Sequence, residues 1–299
     1  MRHTPFLLLL SLGALAAPLP PPLALWDLQE PTGRPRVSRG TAGPYELLDG
    51  DLDHPIPTTA VPGGAPFGAL AASFGPRPFN SSARLFAPRA AVPALTEGIA
   101  GPAARVTLIA WVSLPTANFS GMVAGVWDEF GVEGGATGAR QYALFLNLGT
   151  CQGGGGGATY AHGLAGHISN VGGPTPGSRY CTTAACDPRR LAGAPAWHCL
   201  ATTYDGADIR AYVNGTFAPN SARNPFPLTG GIWDPSRAPG RVGAEFGVGA
   251  NRVNTTAGGP PTWTNRFIGL LGGVAVWDRA LSEADVGRAC ALAPGFAVA

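Results

Sequence analysis

The sequence predicts an all-β protein, an antiparallel β-sandwich closed by one short C-terminal helix. Three observations carry this. Charged residues make up only 13% of the 299, against 44 Gly and 30 Pro, a balance that suits turn-rich β structure better than helices. Trp197 to Gly215 reads WHCLATTYDGADIRAYVNG: two runs rich in β-branched and aromatic residues, divided by Asp205-Gly206 and ended by Asn214-Gly215. Those dipeptides supply the positive φ angles of two-residue hairpin turns. Val106 to Leu114, VTLIAWVSL, is apolar on both alternating faces, as a strand buried on both sides would be.

The other elements follow in order. Trp26 opens the first strand and Tyr45 to Leu48 forms a short one. Pro55 to Pro66 reads as loop from its Pro and Gly content. Phe67 to Phe74, Arg84 to Phe86, Met122 to Trp127, Gln141 to Leu148 and His162 to Asn170 read as strands, and the five glycines from Gly153 to Gly157 as a loop. A phosphate cradle would need a following Lys and helix. Gly172 to Pro195 is expected to be a long loop; Arg241 to Val248 and Phe267 to Trp277 are strands, with Asn254 to Thr262 a loop between them. Ser282 caps a helix running to Ala291, with Glu283 and Asp285 in the first turn, where the helix dipole favours anions.

The N-terminus predicts export. An apolar run from Phe6 to Ala17 follows Arg2 and His3 and ends in small residues. At about 12 residues it suits a signal peptide (1–17) rather than a bilayer span of about 20. A proline-rich spacer (18–24), one domain (25–291) and a tail (292–299) complete the expected organisation, and no later stretch is apolar enough to span a membrane. A net charge of +2 with scattered arginines gives no nucleic-acid footprint. All the basic residues are Arg, which reads as coding bias in a GC-rich genome. Asn80, Asn118, Asn214 and Asn254 begin four glycosylation sequons, where chance predicts about one. Cys199 reads as a small buried hydrophobe, and a disulfide is expected as Cys181–Cys186 or Cys151–Cys181.

The segment IAWV (Ile109 to Val112), the Trp197–Gly215 hairpin and the closing FIGLLGGVAVWDRALSEADV resemble the laminin-G-like, concanavalin A-like superfamily; RQYALFLNL and GHISNVGGPTPG resemble secreted bacterial-type members. The resemblance spans about residues 25–291 and implies a jelly roll of two curved sheets packed face to face. It also implies a choice among lectins, interaction modules and glycoside hydrolases.

The residues weigh against catalysis. The superfamily's glucanase pattern, Glu-x-Asp-x-x-Glu, is absent. Asp128 and Glu129 are adjacent, so on a strand they point apart; so do His198 and Cys199. No Ser lies in a Gly-x-Ser-x-Gly elbow. Asp49, Asp51 and Asp53 place carboxylates on alternate residues, a candidate Ca²⁺ site or a solvated acidic turn. A sugar site would join aromatic platforms to planar polar groups, and the best cluster is Trp127, Asp128, Arg140, Tyr142, Asn147, His167, Asn170 and Tyr180. Arg140 and Tyr142 share a face by alternation, as do His167 and Ser169; Arg223-Asn224-Pro225 and Trp233-Asp234 are candidates for its edge. The reading is a secreted binding module for glycans or extracellular proteins. A glycan-active enzyme or a structural surface protein is the alternative.

Overall fold

A computed structural model describes residues 17–76, 83–115, 121–130, 138–146, 163–175, 181–189, 191–219, 223–238, 242–253 and 262–293. Residues 1–16 of the expected signal peptide, the five glycines, Asn80, Asn118, Asn147, Cys151, Tyr180 and Asn254 lie outside the described residues. The first sheet runs β14 (Thr216–Phe217), β13 (Asp208–Val213), β12 (His198–Tyr204), β7 (Val106–Ser113), β19 (Gly269–Trp277), β5 (Gly68–Phe74) and β4 (Thr58–Ala65). On this sheet β1 (Ala24–Trp26) adds to β19, and β15 (Phe226–Pro227) to β13. The second runs β11 (Ala184–Asp187), β10 (Leu164–Ile168), β9 (Ala139–Leu146), β8 (Gly121–Phe130), β16 (Phe246–Val248), β6 (Leu85–Ala87), β3 (Glu46–Asp49) and β2 (Arg36–Val37). Here β17 (Asn251–Val253) pairs with β18 (Thr262–Thr264) and lies parallel to β8. The remaining strand pairings are antiparallel, so the predicted sandwich stands.

The sandwich core takes alternate residues from both sheets: Val106, Leu108, Ala110 and Val112 of β7 meet Val126, Tyr142, Leu144 and Phe246 from across. The sheets approach closely where β10 passes β12. A Cβ on Gly166 would sit 2.1 Å from Thr202 Oγ1, so only glycine fits there.

The other face of β7 is buried too. Ile109 and Trp111 join Cys199, Ala201, Tyr212, Ala275 and Trp277 in a second cluster, roofed by Val286, Ala289 and Cys290 of the helix α2 (Glu283–Cys290). Each fully buried large apolar side chain contributes about 1.5–3 kcal/mol. Ser282 caps α2 by accepting from Asp285 N–H. Trp111 Nε1 donates to the Cys290 carbonyl at 3.1 Å. A single turn, α1 (Pro93–Thr96), is the other helix among the described residues.

Cys199 is bonded to Cys290, which corrects its reading as a lone hydrophobe: the bridge ties β12 to α2 across 91 residues. Cys181 is a free buried thiol, so neither expected pairing through it forms. Cys186 is also disulfide-bonded. The pairing was beyond local reading because it is set by a helix docking far along the chain.

Other departures have local causes. Thr58 to Ala65 is a strand despite Pro62, because β4 is a sheet edge with a register shift between Ala60 and Ala65, where proline costs no ladder bond. β11 is Ala-Ala-Cys-Asp, poor in β formers, and is held by pairing with β10. The hairpin turn centres on Gly206 (φ +97°), one residue later than expected. Asp205 Oδ1 accepts from the Ala207 and Asp208 N–H groups. Asn214 and Gly215 are both left-handed, as a two-residue turn requires. The proline run is docked rather than free: Trp277 Nε1 donates to the Pro20 carbonyl at 2.8 Å, and Leu19 packs on the second cluster.

Replacing Cys199 and Cys290 together by Ser is expected to destabilise the fold by about 2–5 kcal/mol, read as a lower denaturant midpoint. Gly166→Ala is expected to cost about 1–3 kcal/mol by the same measurement, through overpacking against Thr202. A neutral result would mean that the sheets yield at this crossing.

Candidate functional site

Around the end of β8 the second sheet carries paired charges set among aromatic rings. Trp127 on β8 and Arg140 on β9 are directly opposite. Arg140 Nη2 donates to the Glu129 carbonyl at 2.7 Å and to Glu129 Oε2 at 2.6 Å. Its guanidinium lies 5.7 Å from the Trp127 ring centre, within cation–π range. Trp127 Nε1 donates to Glu129 Oε1 at 3.3 Å. The parallel strand β17 brings Arg252 to Asp128, with Nη2 at 2.7 Å and Nε at 3.1 Å from Oδ2. Arg84 pairs with Glu245 and stacks 3.6 Å from the Trp263 ring centre and 4.2 Å from that of Phe86. Asn265 Nδ2 donates to Asn251 Oδ1 at 3.0 Å.

The network grades from sealed to open. The Arg140 and Asp128 side chains are 0% and 2% exposed, while Arg252 and Glu245 reach 31% and 24%. Burial first pushes the Asp128 carboxyl up to about 6; Arg252 opposes this, and neighbouring Glu245 adds to it. Burial likewise raises Glu245 against the pull of Arg84. Such buried charges persist only when paired.

Beside this network His167 stands edge-on to Trp127 and Phe145, each ring centre 5.3 Å away. Burial, then the arginines 140 and 223, lowers it to about 3, so it is neutral at ordinary pH. Among the described residues neither ring nitrogen has a hydrogen-bond partner, and neither do Arg140 Nε and Nη1. Each such orphan costs about 1–3 kcal/mol, more on a charged group.

Of the predicted cluster, the structure brings together Trp127, Arg140 and His167, while Asp128, next to Trp127 on β8, pairs with Arg252. Tyr142 is excluded, which corrects the alternation argument. Val126 opposes Tyr142 while Trp127 opposes Arg140, so Gln141 is an extra, bulged residue. The bulge turns Tyr142 into the sandwich core, where its hydroxyl donates to the Leu95 carbonyl at 2.8 Å. Asn170 instead holds a loop, donating to the Thr229 carbonyl. Asn224 bonds both backbone groups of Ala211, Arg223 donates to the Thr182 carbonyl, and Trp233 lies in the core.

Asp49, Asp51 and Asp53 do not fit a calcium cage. Asp49 is paired with Arg36 and accepts the Ile56 N–H; Asp51 accepts the His54 N–H. No three acid, His or Cys side chains among the described residues are grouped to hold a metal. Alternate acids on a strand end serve different neighbours, a distinction that spacing alone does not carry.

The sequence reading missed Arg84, Glu245, Arg252, Trp263 and Asn265. They come from three separate segments, joined by a strand pairing that no local pattern announces.

No family profile matches the chain, and no curated protein sequence does. Several solved structures are similar at low identity. Trypanosoma rangeli sialidase in complex with sialic acid is 13% identical over 88% of this chain and 31% of its own, with a TM-score of 0.46. Domain 4 of an extracellular arabinanase from Geobacillus stearothermophilus, in complex with arabinotriose, is 15% identical over 83% of this chain and 90% of its own, TM-score 0.44. A botulinum neurotoxin serotype G binding domain is 7% identical over 90% of this chain and 50% of that one, TM-score 0.49.

Asp128 gives the site a pH signature. Its carboxyl titrates near 3.9 when unfolded and at about 6 when folded, so the folded protein holds the proton more tightly. Its contribution to stability is therefore expected to rise as pH falls from about 7 to about 4 and to be lost above that window. Asp128→Asn should flatten the dependence of the unfolding free energy on pH across the window by up to one proton. An unchanged slope would place the titration elsewhere.

Proposed function

We propose that the protein is an exported, non-enzymatic glycan-binding sandwich of laminin-G-like, concanavalin A-like type. The ligand contacts the open end of the network at Arg252, Glu245, Asn265 and Glu129. One observation carries the reading: guanidinium, carboxylate and amide groups are locked in pairs beside aromatic rings around the end of β8. Planar polar groups hydrogen-bond sugar hydroxyls in fixed directions, and ring faces take the C–H surfaces. Because the groups already hold one another, little side-chain freedom remains to be lost on binding.

A binding role fits the carboxylates better than catalysis. Asp128, Glu129 and Glu245 each pair with an arginine, whereas a retaining glycosidase needs two acids about 5–5.5 Å apart flanking the bond to be cleaved. Export is supported by the Cys199–Cys290 bridge, a bond that persists in oxidising compartments, and by the N-terminal apolar run. No helix among the described residues is long and apolar enough to cross a membrane. Glycosylation at Asn214 would fall on a hairpin tip where Oδ1 already accepts the Cys199 N–H.

The test is a glycan array probed with the mature, oxidised protein and its Arg252→Ala variant. Binding to defined sugars is expected, weakened about tenfold or more in the variant, the scale of one charged hydrogen bond. Silence across the array would sink the reading. Release of reducing sugar from a bound glycan would replace it with a hydrolase.

A further inference from the structure

We propose that Arg140 and His167 form a deeper subsite for a carboxylate, so that the preferred glycans carry an acidic sugar. The proposal rests on the glycan reading for the source of the carboxylate, but the subsite stands on its own observations. Arg140 is wholly buried, and its Nη2 hydrogens serve Glu129. Nε–H and the two hydrogens on Nη1 have no acceptor among the described residues. A guanidinium has no acceptor atom of its own, so whatever completes it must supply lone pairs.

His167 lies against the same Trp127 ring. As a neutral imidazole it offers one further N–H and one acceptor nitrogen, both unmatched among the described residues. Trp127 and Phe145 fix its ring edge-on, leaving the nitrogens as its unsatisfied edge. Gly138 packs directly against Nε: a Cβ there would come within 2.8 Å of that nitrogen, so only glycine leaves room beside it.

An oxyanion with several lone pairs answers these N–H groups, and in a desolvated site each charge-assisted bond is stronger than it would be in water. A neutral hydroxyl brings fewer lone pairs and no charge. Both side chains are sealed, so the acid group enters only as this face opens, and slow association is expected.

The experiment is calorimetric titration at neutral pH with three probes: D-glucuronate, D-glucose and acetate. Arg140→Lys keeps a cation for Glu129 but removes the Nε and Nη1 donors; His167→Phe keeps the aromatic stack and removes both nitrogens. Glucuronate is expected to bind more tightly than glucose, and each variant to weaken it by about tenfold or more. Acetate binding that is lost in both variants supports the subsite even if the array is silent, which would overturn only the glycan reading. Glucose binding as tightly as glucuronate overturns the subsite and leaves the glycan reading intact. Variants with native melting temperatures and unchanged glucuronate affinity overturn it too, as does array binding with no response to either acid.

Discussion

The burial of β7 on both faces is the constraint on which the rest depends. A strand apolar on each side cannot stand at a sheet surface, so the first sheet must be covered twice. The second sheet covers it from within. From outside, the segment that follows β19 in the chain covers it, α2 forming the roof. The Cys199–Cys290 bridge then fixes the roof to the strand beside β7. With the first sheet closed in this way, the buried charge pairs gather at the second, around the end of β8.

That assembly obeys the rule that charge leaves water only with a partner. Asp128, Glu129 and Glu245 are matched by arginines from three different strands or their flanks. The Glu129–Arg140 pair closes the β8–β9 hairpin, while the other two join segments distant in the chain. The pairs therefore cross-link β6, β8, β9, β16 and β17, and any one holds only while the strand register around it holds. In Arg140, as in Arg84, the pairing consumes only part of the hydrogen-bonding capacity.

What could be read from sequence divides along the same line. The Asn214-Gly215 turn, the doubly buried β7 and the capped α2 are stated by neighbouring residues, and all three form as expected. Trp127, Arg140 and His167 were legible as a group because they sit on consecutive strands. Arg252 and Glu245 were not, because only the parallel docking of β17 brings the first to Asp128 and only a loop return brings the second to Arg84. The cysteines misled for the same reason: Cys181 and Cys186 are close in sequence but do not pair, and Cys199 finds Cys290 across the domain. Tyr142 was misplaced by a single residue of irregularity, which strict alternation does not foresee.

That irregularity has a consequence for how the protein can change. Gln141 divides β9 into two halves of opposite phase, one presenting Arg140 outward and the other sending Tyr142 and Leu144 inward. The extra residue is itself anchored, donating to the Thr96 and Trp233 carbonyls. It acts as an insulator along the strand. Substitutions on the Arg140 side need not pass a shift of register to the packed side, so the two halves are free to vary separately on one continuous strand.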